Sequence, residues 1–379
     1  GLGDVYKRQA GMRNKLVIIV FSGFLLVFGL GYIFNPQREF SEMENHYLSI
    51  RPDFTWKSYL KGEFTTDFDS YTADQILGKD WFVKSNVALN RAVGISEINQ
   101  VFIGKDGYLI QDYQKPGDQL QKNLEYIRAF AEENPDVPMT MLLAPNASEI
   151  YPEKLPALAE TYSQETVIGQ AEEVLSGSAE VVDPTEILKQ HKTESIYYKT
   201  DHHWTTRGAY YAYEELCDSL SLEPVPYEQY NQTVLEPFYG SLYSKAPMFD
   251  QEADQVNLLT NPSGTYTVEY EEEARSSDTM YDMSYAERKD KYAVFFGGNY
   301  PVARIKSNGV NTEKVLIIKD SYANSLVPFL ADQYREIHML DLRYYHESVS
   351  EYIRENGIER VIFINNVDFI STDNNFLWL

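Results

Sequence analysis

The sequence predicts an α/β protein: a doubly wound, mainly parallel sheet with a partly β insertion and an apolar helix ahead of it. Three observations lead there. Short apolar runs alternate with amphipathic segments along most of the chain, the rhythm of strands buried on both faces and separated by helices. That rhythm breaks between residues 224 and 290, where prolines and an alternating polar–apolar run intrude. One long uncharged stretch stands near the amino end.

That stretch is residues 16–34, LVIIVFSGFLLVFGLGYIF. At about 1.5 Å rise per residue it nearly spans a hydrocarbon core of about 30 Å. Arg13 and Lys15 precede it and Pro36 closes it. Positive charge stays on the cytoplasmic side, which places the remaining chain outside. An uncleaved signal-anchor is the preferred reading, because no small-x-small site follows the run; a cleaved signal peptide is the alternative. Met12-Arg13-Asn14-Lys15 suits a natural start, so residues 1–11 are expected to be a non-native extension and 12–35 the signal-anchor. Residues 36–104 read as a helical membrane-proximal region, since Phe64, Phe68 and Tyr71, then Trp81, Phe82, Val87 and Leu89, recur at helical spacing. The catalytic domain is expected over 105–379.

At the boundary, apolar runs at 101–103 and 108–110 flank Gly104-Lys105-Asp106-Gly107, a hairpin signal. Helices are expected at 124–133, 165–176, 206–220, 324–333 and 349–356. Strands are expected at 139–144, 179–183, 292–296, 314–318, 337–340 and 361–364. The insertion carries Pro226, Pro237, Pro247 and Asn261-Pro262-Ser263-Gly264 before the alternating run 265–270. Segments of this kind often shape a substrate groove on an α/β scaffold, and often are only tolerated surface loops.

Composition removes several function classes. A net charge of -24 repels phosphate backbones, so no nucleic-acid partner is expected. The single cysteine, Cys217, excludes an intrachain disulfide and a cysteine-based metal site. It falls in the apolar pattern of Tyr210, Tyr213, Leu216 and Leu220, as a buried thiol does. The 30 tyrosines suit sugar faces but also fill cores and surfaces.

Two segments carry chemistry. In Asp201-His202-His203-Trp204, an extended chain would put Asp201 and His203 on one face and His202 on the other. A carboxylate beside an imidazole fixes its tautomer and stabilises the imidazolium, as a serine's general base requires. The same pair also serves as a metal-ligand fragment or a plain buried hydrogen bond. Thr205 or Thr206 is available to cap the helix that follows. The second segment, 315–325, runs an apolar strand through Lys319 and Asp320 into Ser321 at the start of a helix. Ligands in open α/β sheets bind at the carboxyl ends of strands, and a helix amino terminus suits a developing oxyanion. Ser321 as a simple N-cap is the competing reading. Base, orienter and nucleophile would each sit at a strand's carboxyl end.

The Asp201–Trp204 tetrapeptide resembles the signature of the bacterial DHHW protein family. It is also similar to the Asp-x-His-Trp element of alginate O-acetyltransferases, within the SGNH hydrolase-like group. In those proteins a Gly-Asp-Ser-like turn follows; here it reads Lys319-Asp320-Ser321, with lysine in place of glycine. The resemblance covers about residue 40 to the end. It implies Ser321 as nucleophile, His203 as base and Asp201 as its orienter. It also implies transfer of acetyl groups to hydroxyls of a cell-surface polysaccharide, with a multispanning membrane acyltransferase as donor partner. No cofactor is expected. Asn299, in Phe296-Gly297-Gly298-Asn299, would supply an oxyanion amide, and Trp204 would contact substrate. Asn146, Asn365 and Asn366 are further turn residues, while Arg343 and Tyr344 read as scaffold. A carbohydrate esterase, a non-catalytic glycan-binding scaffold and a metal site on Asp201, His202 and His203 remain as alternatives, though no metal is expected.

Overall fold

The computed structural model describes residues 2–271 and 275–379, so positions 272–274 of the expected insertion lie outside the described residues. The chain divides into two compact units. One comprises the residues up to Val93 together with Pro247–Phe249; the other comprises Gly94–Ala246 and Asp250–Leu379.

In the first unit, the helix Leu2–Phe34 contains Met12–Tyr32, a segment long and apolar enough to cross a membrane. Its apolar side chains from Leu16 to Val27 are mostly exposed. Helices Trp56–Lys61, Glu63–Gln75 and Lys79–Ala92 follow, the last two where the aromatic spacing predicted helix. The Lys79 ammonium ties the start of the third helix to the end of the second and to the turn ahead of the first, pairing with Asp74 at 2.9 Å and Glu44 at 2.7 Å.

The second unit is built on an eight-stranded sheet. In chain order its strands are β1 (Met139–Ala144), β2 (Glu180–Val182), β3 (Tyr266–Tyr270), β4 (Arg275–Ser277), β5 (Val302–Ser307), β6 (Asn311–Lys319), β7 (Tyr334–Leu340) and β8 (Arg360–Asn366). They lie in the order β4-β3-β5-β7-β6-β8-β1-β2. The run from β7 to β2 is parallel, and β5, β3 and β4 extend it antiparallel. The predicted class holds, and β3 and β4 show that part of the insertion joins the main sheet.

The apolar runs of the central strands have a direct physical cause. Successive side chains point to opposite faces, and both faces are covered. Val315 and Ile317 of β6 enter one core, with Ile362 and Ile364 of β8. Leu316 and Ile318, with Val361 and Phe363, enter the other. Helix α3 (Thr206–Ser219) packs on the first face through Ala209, Tyr213, Leu216 and Cys217. Helices α1 (Asp118–Glu133), α2 (Gln164–Leu175) and α4 (Val349–Asn356) pack on the second. The hairpin Val101–Ile103 and Leu109–Gln111 forms as its turn residues predicted.

Three elements differ from expectation. Residues 292–296 are not a strand: Lys291–Val294 is a 3-10 turn, capped by Asp290 Oδ1 at Ala293 N. The strand lies instead at β5, whose alternating polar side chains concealed it. The helix expected at 324–333 is a 3-10 turn, Ser321–Ser325, followed by the short helix Val327–Leu330, because Pro328 admits only a first helical turn.

Candidate active site

Ser321 stands two residues beyond the end of β6, half-buried. The cap of its turn is not the serine. Asp320 Oδ1 accepts from Tyr322 N at 2.8 Å, while Oδ2 accepts from Asn366 N at 2.6 Å, tying the turn to the neighbouring strand end. Buried Asp320 has its pKa raised by desolvation, against the pull of those two N–H groups. With capping done by Asp320, the Ser321 hydroxyl is left to face His203. Its Oγ lies 2.8 Å from His203 Nε2, and His203 Nδ1 lies 2.6 Å from Asp201 Oδ1. Residues 118 apart in sequence thus form one hydrogen-bonded line.

The segment carrying the acid–base pair is a tight loop rather than an extended run, and it does not sit at a strand's carboxyl end. Tyr197 bridges Trp204 antiparallel, and Thr205 N donates to Ile196 O at 2.9 Å. Inside the loop Asp201 Oδ1 also accepts from His203 N at 3.0 Å, which brings the two side chains to one side. Thr205 caps α3 through Gly208 N at 3.3 Å, as expected. Glycine is required at 208, where a Cβ would lie 2.3 Å from Ile196 O.

Burial opposes ionisation of Asp201. The adjacent His202 and His203 and the Ser241 N–H outweigh it and hold the carboxyl well below the usual carboxylate range. Asp201 Oδ2 accepts that N–H at 2.7 Å. Gly240 makes the approach possible: a Cβ there would stand 2.3 Å from Asp201 Cβ. No sequence signal marked Gly240 or Ser241.

His202 does not point away from the pair. Its Nδ1 lies 2.7 Å from Ser241 Oγ and its ring 3.8 Å from the His203 ring, and burial with the His203 neighbour lowers its pKa. Asp201, His202 and His203 place donor atoms within 4.8 Å of one another, an arrangement able to hold a metal. Both His203 nitrogens are already engaged by Asp201 and Ser321, so metal ligation by His203 would break the line.

Trp204, expected to contact substrate, is fully buried and offers substrate no face. Its indole N–H donates to Tyr322 O at 3.1 Å and Ser325 Oγ at 3.0 Å, so it holds the serine turn from beneath. Tyr292 was missed with the misread strand. Its ring stacks on His203 at 3.9 Å, and its hydroxyl donates to Ser321 O at 3.0 Å.

Lys319 is the departure from glycine. It is the buried last residue of β6, and its ammonium donates to Asn299 Oδ1 at 2.6 Å and Asn324 Oδ1 at 2.7 Å, with Asp341 at 3.6 Å. Burial pushes its pKa down to about 8, against the attraction of Asp341. Asn299 is therefore held by its carbonyl oxygen. Of the remaining candidates, Arg343 grips Asp341 through Nε at 2.8 Å and Nη2 at 2.6 Å. Asn366 Nδ2 donates to Ala144 O at 2.8 Å, and Asn146 Oδ1 caps Ser148 N at 3.1 Å. Asn365 is fully buried and Tyr344 exposed.

Residues 179–340 match the sequence model of the family described as DHHW protein. A DHHW family protein from Eubacterium siraeum is similar at 25% identity, over 74% of this chain and 94% of that one, with a TM-score of 0.65. PatB1 of Bacillus cereus, solved with a sulfonyl adduct, shares the fold at 22% identity, over 73% of this chain and 97% of that one, with a TM-score of 0.63. The O-acetyltransferase domain of Pseudomonas putida AlgJ is matched more distantly, at 14% identity over 72% of this chain and 93% of that one, with a TM-score of 0.46. Among curated proteins nothing matches. The resemblance to the DHHW family read from the tetrapeptide holds.

Proposed function

We propose that this chain is a serine O-acetyltransferase that moves acetyl groups onto hydroxyls of a cell-surface polysaccharide outside the cytoplasm. The observation that carries the reading is the line Asp201 Oδ1–His203 Nδ1–His203 Nε2–Ser321 Oγ, at 2.6 and 2.8 Å. His203 accepts the hydroxyl proton as Ser321 Oγ attacks the donor's acyl carbon, and Asp201 stabilises the imidazolium. The proton then passes to the leaving group, and an acyl-serine remains. A sugar hydroxyl gives its proton to His203 and attacks the acyl carbon, and His203 passes that proton to the departing Ser321 Oγ, which restores the serine. Asn299, gripped at its carbonyl oxygen by Lys319, presents its Nδ2 as a donor for the oxyanion. The helix holding Met12–Tyr32 anchors the chain, with Arg13 and Lys15 inside, and residues 36–104 link it to the catalytic body. A multispanning membrane acyltransferase delivers the acetyl group.

The test is intact-mass analysis after exposure to p-nitrophenyl acetate, with peptide mapping of the adduct. One acetyl on Ser321 is expected, absent in Ser321→Ala. No adduct on the folded protein, or an equal adduct in Ser321→Ala, would overturn the reading. Product analysis with an acceptor glycan separates transfer from hydrolysis.

A further inference from the structure

A cavity of about 530 Å3 opens in the second unit, and neither Asp201, His203 nor Ser321 lines it. Its walls come from the loop that carries the acid–base pair (Tyr198, Lys199, Thr205) and from the strands Asn231–Phe238 and Asp254–Thr260 of the insertion, which pair antiparallel. We infer that this cavity binds a neutral, hydroxyl-rich saccharide unit of the acceptor glycan, away from the hydroxyl that is acetylated; the acceptor role rests on the function proposed above.

Size and lining both bear on the ligand. The volume falls within the range of small-molecule sites, about 300–1,000 Å3. Tyr108 brings an aromatic ring, Gln255 and Asn257 bring amides, and Glu236 and Asp254 bring carboxylates. Lys199 is the one cation among these lining residues, and its ammonium is paired with Glu252 at 3.4 Å. An anionic sugar would meet two carboxylates with no free countercharge. Neutral hydroxyls, which both donate and accept, fit carboxylates and amides alike.

The cavity is wired to the site. Asp254 accepts from Lys199 N at 2.9 Å and from Thr200 N at 2.7 Å, so the residue immediately before Asp201 is fastened to the cavity wall.

The test uses the full chain in detergent, carrying Ser321→Ala so that no chemistry intervenes. Calorimetric titration compares neutral tetrasaccharides of glucose, galactose and N-acetylglucosamine with a tetrasaccharide of uronic acid. At least one neutral tetrasaccharide is expected to bind, with the uronate weaker. Adding Ala253→Trp, at an exposed position in the wall, should weaken binding tenfold or more. Melting temperature reports whether each variant folds. No binding by any neutral probe, tighter binding of the uronate, or unchanged affinity in the folded Ala253→Trp variant would overturn the inference. Ester labelling of Ser321 is measured separately, so the cavity and the catalytic reading can each fail alone.

Discussion

Two segments meet at the Ser321 hydroxyl, and they are built in opposite ways. The serine turn belongs to the sheet. β6 is held in parallel register on both sides, from Val315 opposite Ile337 and Arg360 onward, and Asp320 locks the turn to the end of β8. The Asp201–His203 loop belongs to no sheet. Its shape depends on Gly208 of α3 beneath it and on Gly240-Ser241, contributed by the insertion from 40 residues away. The nucleophile is therefore placed by regular structure, whereas its base is placed by two close backbone approaches. Disturbance of the second segment should cost chemistry before it costs the fold.

The sharpest way to break that contrast is His203→Ala. Acetylation of Ser321 should slow by about 10³-fold or more, followed by stopped-flow release of p-nitrophenol, with circular dichroism unchanged. Next comes Gly240→Ala, whose Cβ must displace Asp201. Labelling should fall by about 10–100-fold while β6 and its partners stay folded. Gly169→Ala, where a Cβ meets nothing within 4 Å, is the control and should leave labelling intact.

Lys319 sharpens the comparison from the serine side. Its pKa is about 8 in the fold and 10.5 when unfolded, so between those values the unfolded chain holds the extra proton. The protonated lysine is a cost to the fold below about pH 8, and stability should rise as pH climbs through that window. Lys319→Met should abolish this rise, read as the shift in urea midpoint between pH 8 and pH 10. Labelling should also fall with an apparent pKa near 8 as the ammonium that holds Asn299 is lost. The smallest effect is Thr205→Ala, which removes the cap of α3 and should cost about 1 kcal/mol in chemical denaturation.

The core strands were legible because burial on both faces writes itself as uninterrupted apolar runs at 139–144, 314–318 and 361–364. The tetrapeptide Asp201–Trp204 and the order in which Ser321 follows it were legible as chemistry. β5 was not, since Arg304 and Lys306 alternate with apolar residues and the run lacks the apolar continuity of its neighbours. Tyr292 was assigned to a strand because Tyr-Ala-Val-Phe-Phe reads as one, although Asp290 turns the chain there.

The sequence by itself determined which side chains the protein has for acyl chemistry, the α/β class and the apolar segment at the amino end, because these follow from local pattern and residue type. Only the tertiary structure decided that Asp320 frees Ser321 by capping in its place, that Trp204 lies beneath the turn, and that Lys319 holds Asn299. Each of these is a contact between residues whose separation along the chain carries no periodic signal. Such contacts are fixed by where the sheet brings strand ends together.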